Sequence, residues 1–325
     1  MLSDETLKTQ LKFTLEKTNL NIGKKYEGKV RDNYLLGDKR LIITTDRISA
    51  FDRVLCTIPF KGQVLNQTSA FWFEKTKEIV KNHVIEVPDP NVMVVNECKL
   101  IPAEMVVRGY ITGVTTTSAW YSYEKGIRNF CGNELPEDMK KNQKFEKPIL
   151  TPSTKAEHGQ HDESISSEEV IKRNLVDKKT YKEMEKAALA LFDFGTKLVA
   201  KNNLILVDTK YEFGLDSEGK LTLIDEVHTP DSSRFWIKNT YEKIFAEGKE
   251  PEKLDKEYVR QWLANKDFIG DGDIPEIPDD VKVEAAKRYI KAYEMITGKE
   301  FDAKNEDILE RIKHNLKNIL VNKNG

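Results

Sequence analysis

Asp208, Lys210 and Glu212 fall at alternate positions, so any strand that carries them presents all three on one face. A further carboxylate, Asp225, returns toward them from a turn. The stretch from Leu204 to Glu226 reads LILVDTKYEFGLDSEGKLTLIDE. Leu204–Val207 is a short apolar run suited to a buried strand. Asp216-Ser217-Glu218-Gly219 is turn chemistry, and Leu221–Ile224 runs back apolar into Asp225-Glu226. Carboxylates brought together beside a lysine make poor structure unless something bridges them. Mg²⁺ with nucleotide phosphates suits such a set, because the ion takes one or two carboxylates and completes its shell with phosphate and water. A solvated hairpin with scattered charges accounts for the same residues equally well. The polar run HTPDSSR, His228–Arg234, follows at once, in the kind of loop where sites are commonly built.

Four other clusters need elements to place them. In YEGKVRD, Gly28 permits close approach of backbone to a ligand and Lys29 could meet a phosphate, although an ordinary β-hairpin needs nothing more. TTDRISAFD, with Asp46, Arg47 and Ser49, ends an apolar strand in polar residues, a pattern that an Asx-type turn also explains. Arg108 closes the apolar run Met105-Val106-Val107 ahead of hydroxyl residues, which suits a phosphomonoester because a guanidinium pairs phosphate oxygens two at a time. His158 and His161 lie among acids in TPSTKAEHGQHDE, but no third nitrogen or sulfur ligand for zinc is near, so a mobile polar loop is the better reading.

ILVDTKYEFG followed by IDEVHTPDSSRFW resembles the SAICAR synthetase family of purine biosynthesis, and five motifs from Gly28 to Trp236 occur in the family's order. The resemblance implies an ATP- and Mg²⁺-dependent ligase that joins a carboxylated aminoimidazole ribotide to L-aspartate through an acyl phosphate. It also implies roles for individual residues. Gly28, Lys29 and Arg31 match the nucleotide loop, and Glu212 and Asp225 the metal ligands, with Lys210 beside them. Asp46, Arg47 and Ser49 match a substrate segment. Arg108, Ser118, Asp208, Asp231, Ser233, Arg234 and Arg260 match the ribotide site, and Lys155 and Asp162 the closing loop. Val114-Thr115-Thr116-Thr117, which some relatives lack, stands between Gly113 and Ser118. A small-molecule kinase, or another carboxylate–amine ligase, would use much of the same machinery.

The elements follow from periodicity. Leu7, Leu11 and Leu15 behind an acidic first turn predict an amphipathic helix. Tyr26–Asp32 and Arg40–Thr45 predict strands about the Gly37-Asp38-Lys39 turn, and Asn66–Asn82 a core helix carrying Phe71, Trp72, Ile79 and Val80. Gly126–Lys147 reads as an exposed connector. Ser166 opens a helix with capping-box spacing, and a longer helix spans Lys178–Lys201. Arg260 falls on a short helix, and Asp280–Thr297 and Glu306–Val321 are scaffold helices. The fold expected is α+β, with an N-terminal antiparallel sheet as a kinase- or ATP-grasp-like ATP lobe (1–107) and a larger α+β lobe with C-terminal helices (108–325). The chain has 325 residues, 33% of them charged, yet its net charge is only −2, which gives nucleic acid no basic surface. Its 3 cysteines are isolated and no apolar run is long enough to span a membrane. A cytoplasmic enzyme acting on small molecules, as a monomer or small homo-oligomer, is expected.

Overall fold

Alternating apolar residues build two large antiparallel sheets that share one core, beside the two-stranded pairs at 47–57 and 129–134, in the computed structural model, which describes residues 2–317 and 319 apart from 52, 156–161, 255 and 305. Helix α1 (Asp4–Gln10) is followed by strands β1 (Lys24–Glu27), β2 (Arg31–Leu36), β3 (Lys39–Thr44), β4 (Arg47–Ala50) and β5 (Arg53–Thr57). Helix α2 (Lys61–Thr76) then leads to β6 (Val84–Asp89) and β7 (Val92–Asn96). The long strand β8 (Lys99–Tyr110) precedes α3 (Ala119–Glu124), β9 (Asn129–Phe130), β10 (Asn133–Glu134), β11 (Lys144–Leu150) and β12 (Ser153–Thr154). Helices α4 (Ser167–Lys172) and α5 (Lys178–Val199) deliver the chain to β13 (Leu204–Leu215), β14 (Leu221–Ile224) and β15 (Ser233–Ile237). Helices α6 (Lys238–Ala246), α7 (Glu257–Ala264), α8 (Asp279–Thr297) and α9 (Ile308–Asn315) complete the described chain.

The first sheet has the order β1-β2-β3-β7-β6, and the second runs β11-β8-β13-β14 with β12 added on β8 and β15 on β13. The α+β architecture is therefore as expected. One apolar cluster runs through both sheets: Ile42, Met93 and Val95 of the first meet Met105, Val107, Tyr211 and Phe213 of the second, with Trp72 of α2 and Leu191 and Phe192 of α5. Among the described residues no helix is long and apolar enough to cross a membrane.

Several elements depart from the expectations. Tyr26–Asp32 is not one strand, because Gly28-Lys29-Val30 turns the chain between β1 and β2, and the Gly28 amide donates to the Arg31 carbonyl at 2.8 Å. Helix α2 starts at Lys61, five residues ahead of the Asn66 expected, and ends at Thr76. The supposed connector 126–147 carries β9, β10 and the start of β11, and Phe130, Leu135, Met139 and Phe145 bury themselves with Ile111 and Tyr123 in a small core of their own. The expected division after residue 107 falls inside β8, which belongs whole to the second sheet, so the change of sheet comes at Glu97-Cys98. By contrast, Ser166 makes the capping box, and Gly298 stops α8 in the left-handed conformation at φ 69°.

Candidate functional site

Strands β8 and β13 stay in unbroken register over five residues, with Asp208 opposite Arg108, Lys210 opposite Val106 and Glu212 opposite Glu104. Strand β15 extends the first of these rows, because Arg234 also lies opposite Asp208. Side chains two apart on a strand share a face, so one surface of this sheet carries a ladder of charge. The intervening residues Met105, Val107 and Tyr211 point the other way into the core.

At one end of the ladder Asp208 stands between two arginines. Its carboxylate accepts from the Arg234 guanidinium and, at 3.4 Å, from Arg108 Nη1. Arg108 is 6% exposed and spends its other donors on Thr151 Oγ1 at 2.8 Å and the Thr117 carbonyl at 2.9 Å. Burial draws the Arg108 pKa down, with Asp208 opposing. Ser118 joins them from the start of α3, and its hydroxyl bonds Thr115 Oγ1 at 2.8 Å. Gly113, at φ +92°, closes the corner: a Cβ there would lie 2.4 Å from Ser118 Oγ and 3.2 Å from Arg234 Nη2. The row has two cations to one anion and hydroxyls alongside, a setting for a phosphomonoester.

At the other end carboxylates prevail. Lys210 Nζ donates to Glu104 Oε1 at 2.6 Å and to Glu212 Oε1 at 3.2 Å, while Lys155 bonds the second Glu212 oxygen. Burial acts to lower the Lys210 pKa, but Glu212 and Glu104 outweigh it and raise it. Lys155 is raised in the same way by Glu212 and Asp225. Burial, with Glu212 nearby, pushes the Glu104 carboxyl up to about 7 against the pull of Lys210; Asp162, beyond the strands, adds to the rise. Asp225 follows β14 in the left-handed region, at φ 68°, a costly conformation for a non-glycine residue. Arg31 crosses from the first sheet to reach it, with one nitrogen 2.5 Å from Asp225 Oδ1 and the other 2.6 Å from Glu226 Oε1. Burial opposes ionisation of Asp225, yet Arg31, Lys155 and Lys210 hold its carboxyl down at about 2. No three His, Cys, Asp or Glu side chains converge as a metal cage among the described residues. Mg²⁺ needs no such cage: Glu212 and Asp225, both close to Lys155 and Lys210, fit an ion that takes two carboxylates and keeps phosphate and water for the rest.

The remaining sequence candidates frame this face. Arg47 is buried and wraps the Gly28-Lys29-Val30 turn from behind, donating to the Lys29 carbonyl at 3.0 Å, the Gly28 carbonyl at 2.8 Å and Asp32 at 2.9 Å. Asp46 is wholly buried and ties the chain together, accepting from the amides of Leu15 and Gly62 at 2.8 Å each; burial pushes its carboxyl up to about 6. Ser49 lies half-buried on β4 opposite Val54. Ser233 is buried on the core side of β15 and bonds Thr209 Oγ1 at 2.7 Å, so its hydroxyl does not share the face of Arg234. Asp231 meets Lys61 Nζ and the Tyr289 hydroxyl, both at 2.7 Å, and with burial opposing, Lys61 and Lys256 hold it well below the usual carboxylate range. Arg260 on α7 lies 3.5 Å from Glu257 and near Lys256. The structure thus groups Arg108, Ser118, Asp208 and Arg234 in one cluster and Arg31, Lys155, Lys210, Glu212 and Asp225 in another, while Asp231 and Arg260 gather about Lys256, which also lies near Glu226. His158 and His161, read from the sequence as part of a mobile polar loop, lie outside the described residues.

Glu104 was missed in the sequence because the strand there was read only from Met105 onward. Its even-numbered spacing from Val106 and Arg108 was the available signal. Glu226, Lys61 and Tyr289 had none, since their partners are distant in sequence.

The SAICAR synthetase family model matches residues 24–274. The phosphoribosylaminoimidazole-succinocarboxamide synthase of Legionella pneumophila (strain Lens) is 49% identical over 311 residues, covering 95% of this chain and 99% of that protein. The chloroplastic enzyme of the same name from Arabidopsis thaliana is 48% identical, covering 95% of this chain and 77% of its own. Among solved structures, the Saccharomyces cerevisiae SAICAR synthase complexed with SAICAR superposes with a TM-score of 0.78 at 33% identity, over 89% of this chain and 100% of that one. A SAICAR synthetase in complex with ADP gives 0.66 at 26% identity, over 86% and 100%. The chain belongs to the SAICAR synthetase family, the ATP-dependent ligases that join an aminoimidazole ribotide carboxylate to L-aspartate in purine biosynthesis.

Proposed function

We propose that the charged face of β8, β13 and β15 is where this ligation takes place, with the ribotide laid along the ladder. The observation that carries the reading is the in-register row Arg108–Asp208–Arg234 on the same face as Lys210 and Glu212. Arg108, Arg234 and Ser118 take the ribotide phosphate, and Asp208 keeps the two guanidiniums apart and oriented. Lys210 then faces the imidazole carboxylate. Gly28, Lys29 and Arg31, on the turn of the first sheet, cover the nucleotide, so the sheet that ends at Asn96 is the ATP lobe. A relative that holds ADP supports a nucleotide there.

Glu212 and Asp225 are the residues that hold Mg²⁺. When bound, the ion neutralises charge on the transferring phosphates. The protein's own groups do the rest by position and charge. A carboxylate oxygen is a poor leaving group at neutral pH, so the imidazole carboxylate first accepts the γ-phosphoryl group of ATP. The aspartate amine, after losing a proton, then attacks that carbon and expels inorganic phosphate. Lys210 and Lys155 offset the negative charge that gathers as carboxylate and phosphoryl group approach. Arg31, which engages Asp225 and Glu226, joins the proposed nucleotide turn to the carboxylate end. The resemblance implies a loop that closes over the substrates; its residues 156–161 lie outside the described residues, and Lys155 and Asp162 flank them. Arg47 and Asp46 act as frame for the proposed nucleotide turn and α2, Ser49 and Ser233 line the periphery, and Asp231 and Arg260 gather about Lys256, near Glu226.

The route is tested with ribotide labelled with ¹⁸O in its carboxylate. After one turnover with ATP, Mg²⁺ and L-aspartate, mass spectrometry should find one labelled oxygen in inorganic phosphate. Unlabelled phosphate, or a stable phosphorylated product, would exclude the acyl-phosphate route.

A further inference from the structure

The register of β8 and β13 creates a conflict that the assigned residues do not resolve. Glu104 and Glu212 face each other on adjacent strands, an arrangement that like charges make unfavourable. A single ammonium, Lys210, lies between them, closer to Glu104 at 2.6 Å than to Glu212 at 3.2 Å. Glu104 is 3% exposed, and its other oxygen accepts from Ser153 Oγ at 3.2 Å, across the opposite strand neighbour β12. Glu104 is therefore fixed from both sides, while Glu212 already has Lys155 on its second oxygen. If Lys210 turned wholly to Glu212, that carboxylate would carry a cation on each oxygen and compete poorly for metal.

We propose that Glu104 is a positioning residue that draws the Lys210 ammonium away from Glu212 and so leaves Glu212 able to bind the divalent cation. The inference rests on the assignment of Glu212 to the metal. It concerns how that ligand is kept available, and it acts through Lys210 and not by contact with the ion. Three consequences follow. Removing the charge of Glu104 weakens metal binding, because Lys210 moves onto Glu212. Keeping the charge but shortening the side chain does the same, because the carboxylate no longer reaches Lys210. Removing Lys210 first abolishes both effects.

The test is Mn²⁺ binding to the enzyme–ADP complex, followed by electron paramagnetic resonance at pH 8, a readout independent of turnover. Glu104→Gln should raise the Kd for Mn²⁺ by about tenfold, the scale of one charge-assisted hydrogen bond redistributed. Glu104→Asp should raise it comparably. In a Lys210→Met background, Glu104→Gln should change it by less than about twofold, so the double-mutant cycle reports coupling. Glu104→Gln preserves an acceptor for Ser153; should it fail to fold, Glu104→Asp carries the same test. A Glu104→Asp protein with wild-type Mn²⁺ affinity would overturn the inference, as would an equal loss from Glu104→Gln with and without Lys210. Glu212→Gln separates the two levels: if it leaves Mn²⁺ binding intact, the metal assignment itself fails. If it weakens binding while Glu104→Gln does not, only the role of Glu104 falls.

Discussion

Replacing Arg108 by alanine isolates the phosphate end of the ladder, and its size can be worked from the contacts. Arg108 donates to Thr151, to the Thr117 carbonyl and to Asp208. Asp208 keeps Arg234 in the variant, so no carboxylate is left buried and unpaired. What is lost is one hydrogen-bond partner each for Thr151 and Thr117, about 1 kcal/mol apiece. The expected destabilisation of about 2 kcal/mol lowers Tm by roughly 3 °C and leaves the enzyme folded at 25 °C. The ribotide loses more, because a charge-assisted pair to phosphate contributes about 1.5–3 kcal/mol, or roughly ten- to hundredfold in affinity. Arg108→Lys restores the charge without the planar fork and should recover part of that loss. Isothermal titration with the ribotide, beside steady-state kinetics in ATP, separates binding from general damage. The KM for ATP should stay within about twofold, since the nucleotide is assigned to the other end. Ribotide binding within twofold of wild type by a folded Arg108→Ala protein would remove Arg108 from the site. An equal rise in both KM values would show that the two ends are not separate.

Three further outcomes follow from the same geometry. Asp225→Asn keeps shape but halves the carboxylate charge offered to Mg²⁺, so kcat should fall about 10²-fold; turnover within a few-fold of wild type at saturating Mg²⁺ would count against the assignment. Gly113→Ala places a methyl group 2.4 Å from Ser118 Oγ on a backbone at φ +92°, and should raise the ribotide KM about tenfold or more with little change for ATP; steady-state kinetics in each substrate will show whether the corner is part of the phosphate site. The Glu104 carboxyl is pushed from 4.5 up to about 7, so between those values the folded protein holds a proton that the unfolded chain has released. That contribution to stability is complete below pH 4.5 and lost as pH rises through 7; Tm measured from pH 5 to 8 should decline less in Glu104→Gln than in wild type, and parallel curves would contradict the shift.

How much of this was legible in the sequence depended on whether the signal was local. The alternation Asp208, Lys210, Glu212 gave a face, and the turn at Asp216–Gly219 gave the hairpin, because both are properties of adjacent residues. The partner strand was not readable. Nothing near Glu212 announces that Glu104 lies across from it, or that Arg31, separated by 194 residues, reaches Asp225. The break between β1 and β2 was hidden for a related reason: Gly28-Lys29-Val30 lacks the Asn-Gly or Asp-Gly pair that marks a two-residue hairpin, so Tyr26–Asp32 reads as one strand. The stretch 126–147 misled through composition. Its four core residues, Phe130, Leu135, Met139 and Phe145, are too widely and unevenly spaced to show a period, and they are buried only because the chain folds back on Ile111 and Tyr123.

The order of charges along β8 and β13 also explains why the ribotide should lie in one direction only. Arg108 and Glu104 are four residues apart on one face, about 13 Å at the rise of a strand, a span comparable with an extended ribotide from phosphate to imidazole carboxylate. Reversed, the phosphate dianion would meet Glu104 and Glu212, and the imidazole carboxylate would fall among the arginines, far from Asp225 and the nucleotide turn. The doubly charged group prefers the end with two guanidiniums, and the singly charged one is left beside Lys210, where a lysine shared between two glutamates still has charge to offer. Orientation is therefore set before any contact with the ring is made. On the proposed assignment, that orientation brings the carboxylate toward Lys210, beside Glu212 and Asp225.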